Sequence, residues 1–315
     1  MRYWVRTLKI RDAMEPHQLK EIATVVHDGL QLLGLQAYHI RQGWPCVGDL
    51  KDERQIIIGG NVGTKQTLMG IPDNSIVYNF EQVGNFHFSA MYLELLRRCE
   101  VWDYNHTNIE RLKKYAINAR YVPFGYVPSL TEEYRPQWDT EEYDVMFVGS
   151  MCSDVRVKII EQMRQRKLNV FTSEACYGHA RAEAYQRSKI VLNMHFHKEK
   201  IMESVRVGTA MANRKPVVCQ MDVDTSADAF LVPGMACVPY DMLAETCERL
   251  AHDGEARNKL ARLGFEIFSA RKMDEILRPI LNEPQRPVAL PQSYEREKNT
   301  GAVTYRRISG TSPIR

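Results

Sequence analysis

The sequence predicts an α/β protein of two units in series, each a parallel sheet flanked by helices. Short β-branched or aromatic runs alternate with amphipathic stretches from residue 3 to 126, break off in a Pro- and acid-rich stretch, and resume at residue 144. A chain of 315 residues has the length for two domains of ordinary size. Its 44% apolar and 26% charged content fits a packed core and excludes disordered, collagenous and coiled-coil classes.

In the first unit, strands are expected at Tyr3–Ile10, Gln36–Ile40, Gln55–Gly59, Ser75–Phe80, Glu100–Tyr104 and Arg120–Phe124. Helical periodicity is clearest over Pro16–Leu33, Phe88–Arg97 and Asn108–Asn118. Pro123, Pro128 and Pro136, with Gly125 and the acidic groups from Glu132 to Asp144, then interrupt the pattern. The expected boundaries are a first domain at 1–127, a linker at 128–143 and a second domain at 144–284.

The second unit opens with the apolar strand Asp144–Gly149, which runs into Ser150 and a helix over Asp154–Arg166, a Rossmann-like start. Strand Asn169–Thr172, helix His179–Arg187, strand Lys189–His195, helix Glu203–Ala212 and strands Pro216–Gln220 and Ala236–Pro239 follow. Helices over Asp241–His252, Glu255–Phe268 and Met273–Leu281 close it. Residues 285–315 carry 6 basic and 2 acidic groups and little apolar content, and are expected to form a disordered basic tail.

Outside that tail, 36 basic groups stand against 37 acidic ones, which is not the bias of a dedicated nucleic-acid binder. The seven cysteines are scattered with no Cys-x-x-Cys, which fits neither a disulfide framework nor a zinc knuckle. No apolar run reaches the roughly 18 residues of a membrane span, and the charged start lacks the h-region of a signal peptide. A cytoplasmic location is expected.

Ligands of open parallel sheets bind at the carboxyl ends of strands, so the candidate residues are those at strand exits. Gly149 and Ser150 end a buried strand before a helix whose first amides suit phosphate, or they form an ordinary turn. Asn193, His195 and His197 follow another strand; the two histidines would point to one side if the strand continued, and no third ligand stands at metal spacing. Glu203, Ser204 and Arg206 begin a helix, where Glu203 and Arg206 pair with each other or Arg206 holds a diphosphate. In the first unit Glu81 and Asp103 end strands and are candidate acceptor bases; the alternatives are a loop ion pair for Glu81 and a helix cap for Asp103. Asp222-Val-Asp224 reads as a solvated turn, and Gly59–Lys65 as a loop without the P-loop order.

The stretch Ala210–Val218, preceded by Leu192-Asn193-Met194-His195, resembles the donor-binding region of GT-B glycosyltransferases of the glycosyltransferase group 1 superfamily, and its CgeB-like branch in particular. Val77–Gln82, Val101–Asn105 and Tyr121–Tyr126 are similar to further blocks of that family. The resemblance implies two Rossmann-like domains facing a central cleft, and transfer of a sugar from a nucleotide-diphosphate-sugar donor to a hydroxyl acceptor. It implies no metal and no cofactor beyond the donor. The acceptor stays open among a polysaccharide, a small molecule and hydroxymethylated DNA, as does the stereochemistry. The chain departs from the retaining pattern, whose paired glutamates fall on Ile201 and Thr209, with Glu203 displaced by two. A catalytically silent nucleotide-sugar or nucleic-acid binding protein of the same fold is the alternative.

Overall fold

A computed structural model describes residues 1–8, 19–40, 52–84, 88–131 and 141–283, and the backbone of 294–299 and 302–307. The first half contains β1 (Arg2–Thr7), α1 (Lys20–Leu32), β2 (Gln36–His39), β3 (Glu53–Ile58), α2 (Lys65–Met69), β4 (Ile76–Asn79), α3 (Ala90–Arg98), β5 (Glu100–Asp103), α4 (His106–Lys113) and β6 (Ala119–Tyr121). Its strands form one parallel sheet in the order β2-β1-β3-β4-β5-β6. Ile56, Ile57 and Ile58 are all fully buried, as a strand covered by helices on both faces requires.

The second half contains β7 (Tyr143–Val148), α5 (Asp154–Gln165), β8 (Val170–Ser173), α6 (Gly178–Gln186), β9 (Ser188–Asn193), α7 (Ser204–Ala212), β10 (Val217–Gln220) and β11 (Ala236–Val238). Helices α8 (Leu243–His252), α9 (Gly254–Ala270) and α10 (Met273–Asn282) follow. The second parallel sheet runs β11-β10-β9-β7-β8. Strand order reverses between β7 and β9, the point at which open parallel sheets place their ligands at the strands' carboxyl ends.

Two parallel α/β sheets with surrounding helices are what the sequence predicts, and each expected strand is present. The differences lie at the ends. Residues 9–18, which include the expected end of the first strand and start of the first helix, lie outside the described residues. Helix α4 stops at Lys113 rather than Asn118: Ala116 has φ +57°, and the Ile117 amide turns back to the Leu112 carbonyl across 3.2 Å. Helix α2 was not expected; Thr64 caps it by accepting from the Thr67 amide. Tyr294–Asn299 and Ala302–Arg307 pair as an antiparallel hairpin where a segment without regular structure is expected. Ladder bonds between neighbouring residues need no apolar core, which is why low apolar content did not reveal them.

The described parts of the two halves pack directly on each other. Helix α10 packs on α1, and a Cβ on Gly29 would lie 2.7 Å from Met273 Cγ. The Tyr126 amide donates to the Arg271 carbonyl (2.7 Å) and the Met273 amide to the Tyr126 carbonyl (3.0 Å). Phe124 stacks on Phe268 at 5.9 Å, with Gly208 of α7 against both rings. Nearer the crevice, Gln82 Nε2 donates to the Ile201 carbonyl at 3.3 Å, and Thr107 and Ser226 share a hydroxyl hydrogen bond of 2.8 Å. Among the described residues no helix is long and apolar enough to cross a membrane, and the six described cysteines are free thiols.

Candidate active site

The exits of β7 and β9 bring together most of the second-half residues expected from sequence. Gly149 leaves β7 with almost no room beside it: a Cβ there would lie 3.0 Å from Phe147 Cζ, 3.2 Å from Arg156 Nη1 and 3.3 Å from Arg206 Nη2. Only a glycine leaves that space open between two guanidinium groups. The Ser150 hydroxyl accepts from the Cys152 amide (3.2 Å), which folds the turn before α5.

Asn193, fully buried at the end of β9, organises the opposite wall. Its Nδ2 donates to Glu203 Oε2 at 3.0 Å, and its Oδ1 accepts from Arg206 Nη1 at 2.6 Å. Glu203 is the N-cap residue of α7 but makes no side-chain cap bond; its carboxylate turns instead toward Asn193, with Arg156 and Arg206 both at 3.9 Å. The expected Glu203–Arg206 ion pair is therefore loose, and Asn193 holds both side chains. Ser204 is buried in the first turn, its hydroxyl 3.5 Å from the Met202 carbonyl. Helix α7 leaves its first-turn amides and the positive end of its dipole at this point.

His195 is buried. Its Nε2 donates to the Gln220 carbonyl at 3.1 Å, and its own amide donates to Gln220 Oε1 at 3.2 Å. Nδ1 has no hydrogen-bond partner and lies 3.7 Å from Glu203 Oε2. His197 is placed differently from expectation. Strand β9 ends at Asn193, so the alternation that would set the two histidines on one side does not continue; His197 lies in the next turn, edge-on to Phe196 at 5.1 Å.

Sequence reasoning missed Arg156 and Gln220. Arg156 donates to the Ser150, Met194 and His195 carbonyls at 3.0, 2.6 and 3.3 Å. Burial first, then the Arg206 charge, bring its pKa down to about 10, which leaves it a cation at neutral pH. A signal was available: Arg156, Ile159, Ile160 and Met163 form the core stripe of α5, where an arginine is out of place.

The first-half candidates separate. Glu81 follows β4, with Oε2 accepting from Asn61 at 2.9 Å and Oε1 from the Gln82 amide at 3.0 Å. Asp103 is fully buried and bonds Asn79 Nδ2 at 2.6 Å and the Asn105 amide at 2.8 Å. Fully buried, Asp103 has no solvent-exposed surface of the kind the expected acceptor base would present. Nor is it the helix cap, because Asn105 caps α4 by accepting from the Thr107 and Asn108 amides. Burial pushes the Asp103 carboxyl up to about 8, against the hydrogen bonds it accepts.

Asp222 and Asp224 both bond Lys200 Nζ, at 3.3 and 2.9 Å, an ion-paired turn rather than a purely solvated one. Among the described residues no three His, Cys, Asp or Glu side chains gather as a metal site.

Two parallel α/β sheets with surrounding helices, and polar residues gathered at the topological switch point of the second, match the GT-B architecture, and comparison with solved structures returns the same fold. The DNA-modifying enzyme β-glucosyltransferase, solved with and without uridine diphosphoglucose, is 12% identical at a TM-score of 0.58, covering 89% of this chain and 99% of that one. Anabaena Alr3699/HepE, solved with UDP and glucose, is 11% identical at a TM-score of 0.57 over 90% of this chain and all of the other. Staphylococcus aureus TarM, in complex with UDP among other ligands, is 14% identical at 0.54 over 75% of this chain; the match spans 56% of TarM's length. No protein-family model matches the sequence, and no curated protein does.

Proposed function

We propose that the chain is a glycosyltransferase that moves a sugar from a nucleotide-diphosphate-sugar donor to a hydroxyl acceptor. The observation that carries this reading is that Arg206, in the first turn of α7, reaches both the Gly149 turn and Asn193, with His195 Nδ1, which has no hydrogen-bond partner, 3.7 Å from Glu203. The turn at Gly149 and Ser150, with Ser204 and the α7 amides, would hold the diphosphate, and Arg206 would offset charge developing on the leaving group. Asn193 orients that arginine. His195 would face the transferring sugar, and His197 would line the mouth of the site. Glu81 is the candidate base on the acceptor side. The fold's relatives solved with UDP or uridine diphosphoglucose support a uridine nucleotide as donor.

Calorimetric titration with UDP and GDP, followed by incubation with radiolabelled nucleotide sugars, tests the proposal. Binding of one nucleotide with slow donor hydrolysis is expected. Binding without turnover across donors and acceptors would instead support the silent binding protein, and no binding would overturn both.

Among acceptors, hydroxymethylated DNA draws support from the +4 charge of residues 285–315 and from the likeness to a DNA-modifying enzyme. If DNA is the acceptor, its affinity should fall steeply between about 50 and 200 mM salt, because phosphate contacts release counterions. An affinity indifferent to salt would point to a sugar or small molecule. A cytosolic location agrees with the free thiols.

A further inference from the structure

Arg156 occupies the point where the second sheet reverses its strand order. One hand of its guanidinium binds the exit of β7 through the Ser150 carbonyl, and the other binds the exit of β9 through the Met194 and His195 carbonyls. The planar group lies between the rings of Phe147 and Phe196, 5.0 Å from each centroid. Its Nη2 is 3.9 Å from Glu203 Oε1. All of this is internal, since the residue is 2% exposed.

A guanidinium spent on three backbone carbonyls cannot turn to a phosphate without releasing both strand exits. Arg206, which is partly exposed and bonds only side chains here, is free to make that contact. We infer that Arg156 is a positioning residue: it staples the exits of β7 and β9 and thereby fixes His195 relative to the turn at Gly149. A lysine could keep the charge but not the fork or the stacking between two rings.

The inference rests on the glycosyltransferase reading for what the crevice holds, but its test does not depend on it. Arg156→Lys and Arg156→Met would be compared with wild type by circular dichroism, UDP affinity, kcat and KM for donor hydrolysis, and the ¹⁵N spectrum of the His195 ring. In the folded lysine variant we expect UDP affinity little changed, kcat lowered about 10- to 100-fold, and the His195 ring resonances shifted even without ligand. Unchanged His195 resonances together with near-normal kcat would overturn the proposal. So would a loss of kcat that merely tracks the unfolded fraction. If neither variant folds, Phe196→Leu removes one of the two clamping rings at a partly exposed position; it should shift the same resonances, and their constancy would refute the staple. A wild-type protein that binds no nucleotide would defeat the functional reading alone, since the ring spectrum still reports on Arg156.

Discussion

Arg206 Nη1 lies 2.6 Å from Asn193 Oδ1 but 3.9 Å from the nearest Glu203 oxygen, so the amide rather than the carboxylate sets the arginine's position. An arginine held by a neutral oxygen keeps most of its charge available to an incoming anion. It also needs no ion-pair partner to stay folded.

Arg206→Ala should therefore weaken UDP or GDP binding by about 1.5–3 kcal/mol, the worth of a charge-assisted hydrogen bond, with a small change in melting temperature. Calorimetry and a thermal melt read the two quantities separately. Normal nucleotide affinity in a protein that melts early would reduce Arg206 to a structural partner of Asn193.

His195→Ala should lower turnover about 10²-fold or more while nucleotide affinity falls far less, because the residue would meet the sugar rather than the diphosphate. The lost ring bond to the Gln220 carbonyl adds a stability cost of about 1–3 kcal/mol. Turnover must therefore be measured well below the melting transition. Near-normal turnover there would remove His195 from the site.

Asp103 predicts a pH dependence. Its folded pKa of about 8 stands above the ordinary 3.8, so between these values the folded protein keeps a proton that the unfolded chain has released. Its contribution to stability is complete below about pH 4 and lost as pH rises through about 8, with a slope of at most about 1.4 kcal/mol per pH unit. Asp103→Asn should be less stable at pH 5, since one acceptor becomes a donor facing Asn79, yet its stability should fall less between pH 5 and 8. Urea midpoints across that range decide it; parallel curves would show that Asp103 does not titrate there.

Gly208→Ala should destabilise by about 1–3 kcal/mol, because a Cβ would stand 2.8 Å from the buried Phe268 ring and 3.0 Å from Phe124. Helix α7 would have to back away, carrying Glu203 and Arg206 with it. A loss of nucleotide affinity is expected alongside the lower melting temperature, and an unaffected melt would show that the interface yields.

Periodicity made the strands legible because the central strands of each sheet, such as β3 and β9, are buried on both faces and stand out as apolar runs. Candidate residues at the exits of β7 and β9 followed from the same rule, and Asn193, His195, Glu203 and Arg206 do meet there. What was not legible is depth and partnership. Asp103 and Glu81 both end strands in the sequence, yet Asp103 is fully buried and Glu81 is not. Arg156 was not among the candidates, although it shares the buried stripe of α5 with Ile159, Ile160 and Met163. His197 lies beyond the end of β9 at Asn193, so the strand's alternation does not set which side it faces.

The return of α10 onto α1 means that the two halves are not separable modules. Residues 1–131 expressed alone would leave the seats beside Gly29 and Gly125 open, places that Met273 and Ile276 fill. A fragment from 141 onward would carry those side chains with nothing to cover them. Each piece is then an incomplete monomer with a ready-made partner, so the two should recombine when mixed. A circular permutant opened between residues 131 and 141 should hold together, whereas exchanging one half for that of another protein should fail unless α10 is exchanged with the half it seals.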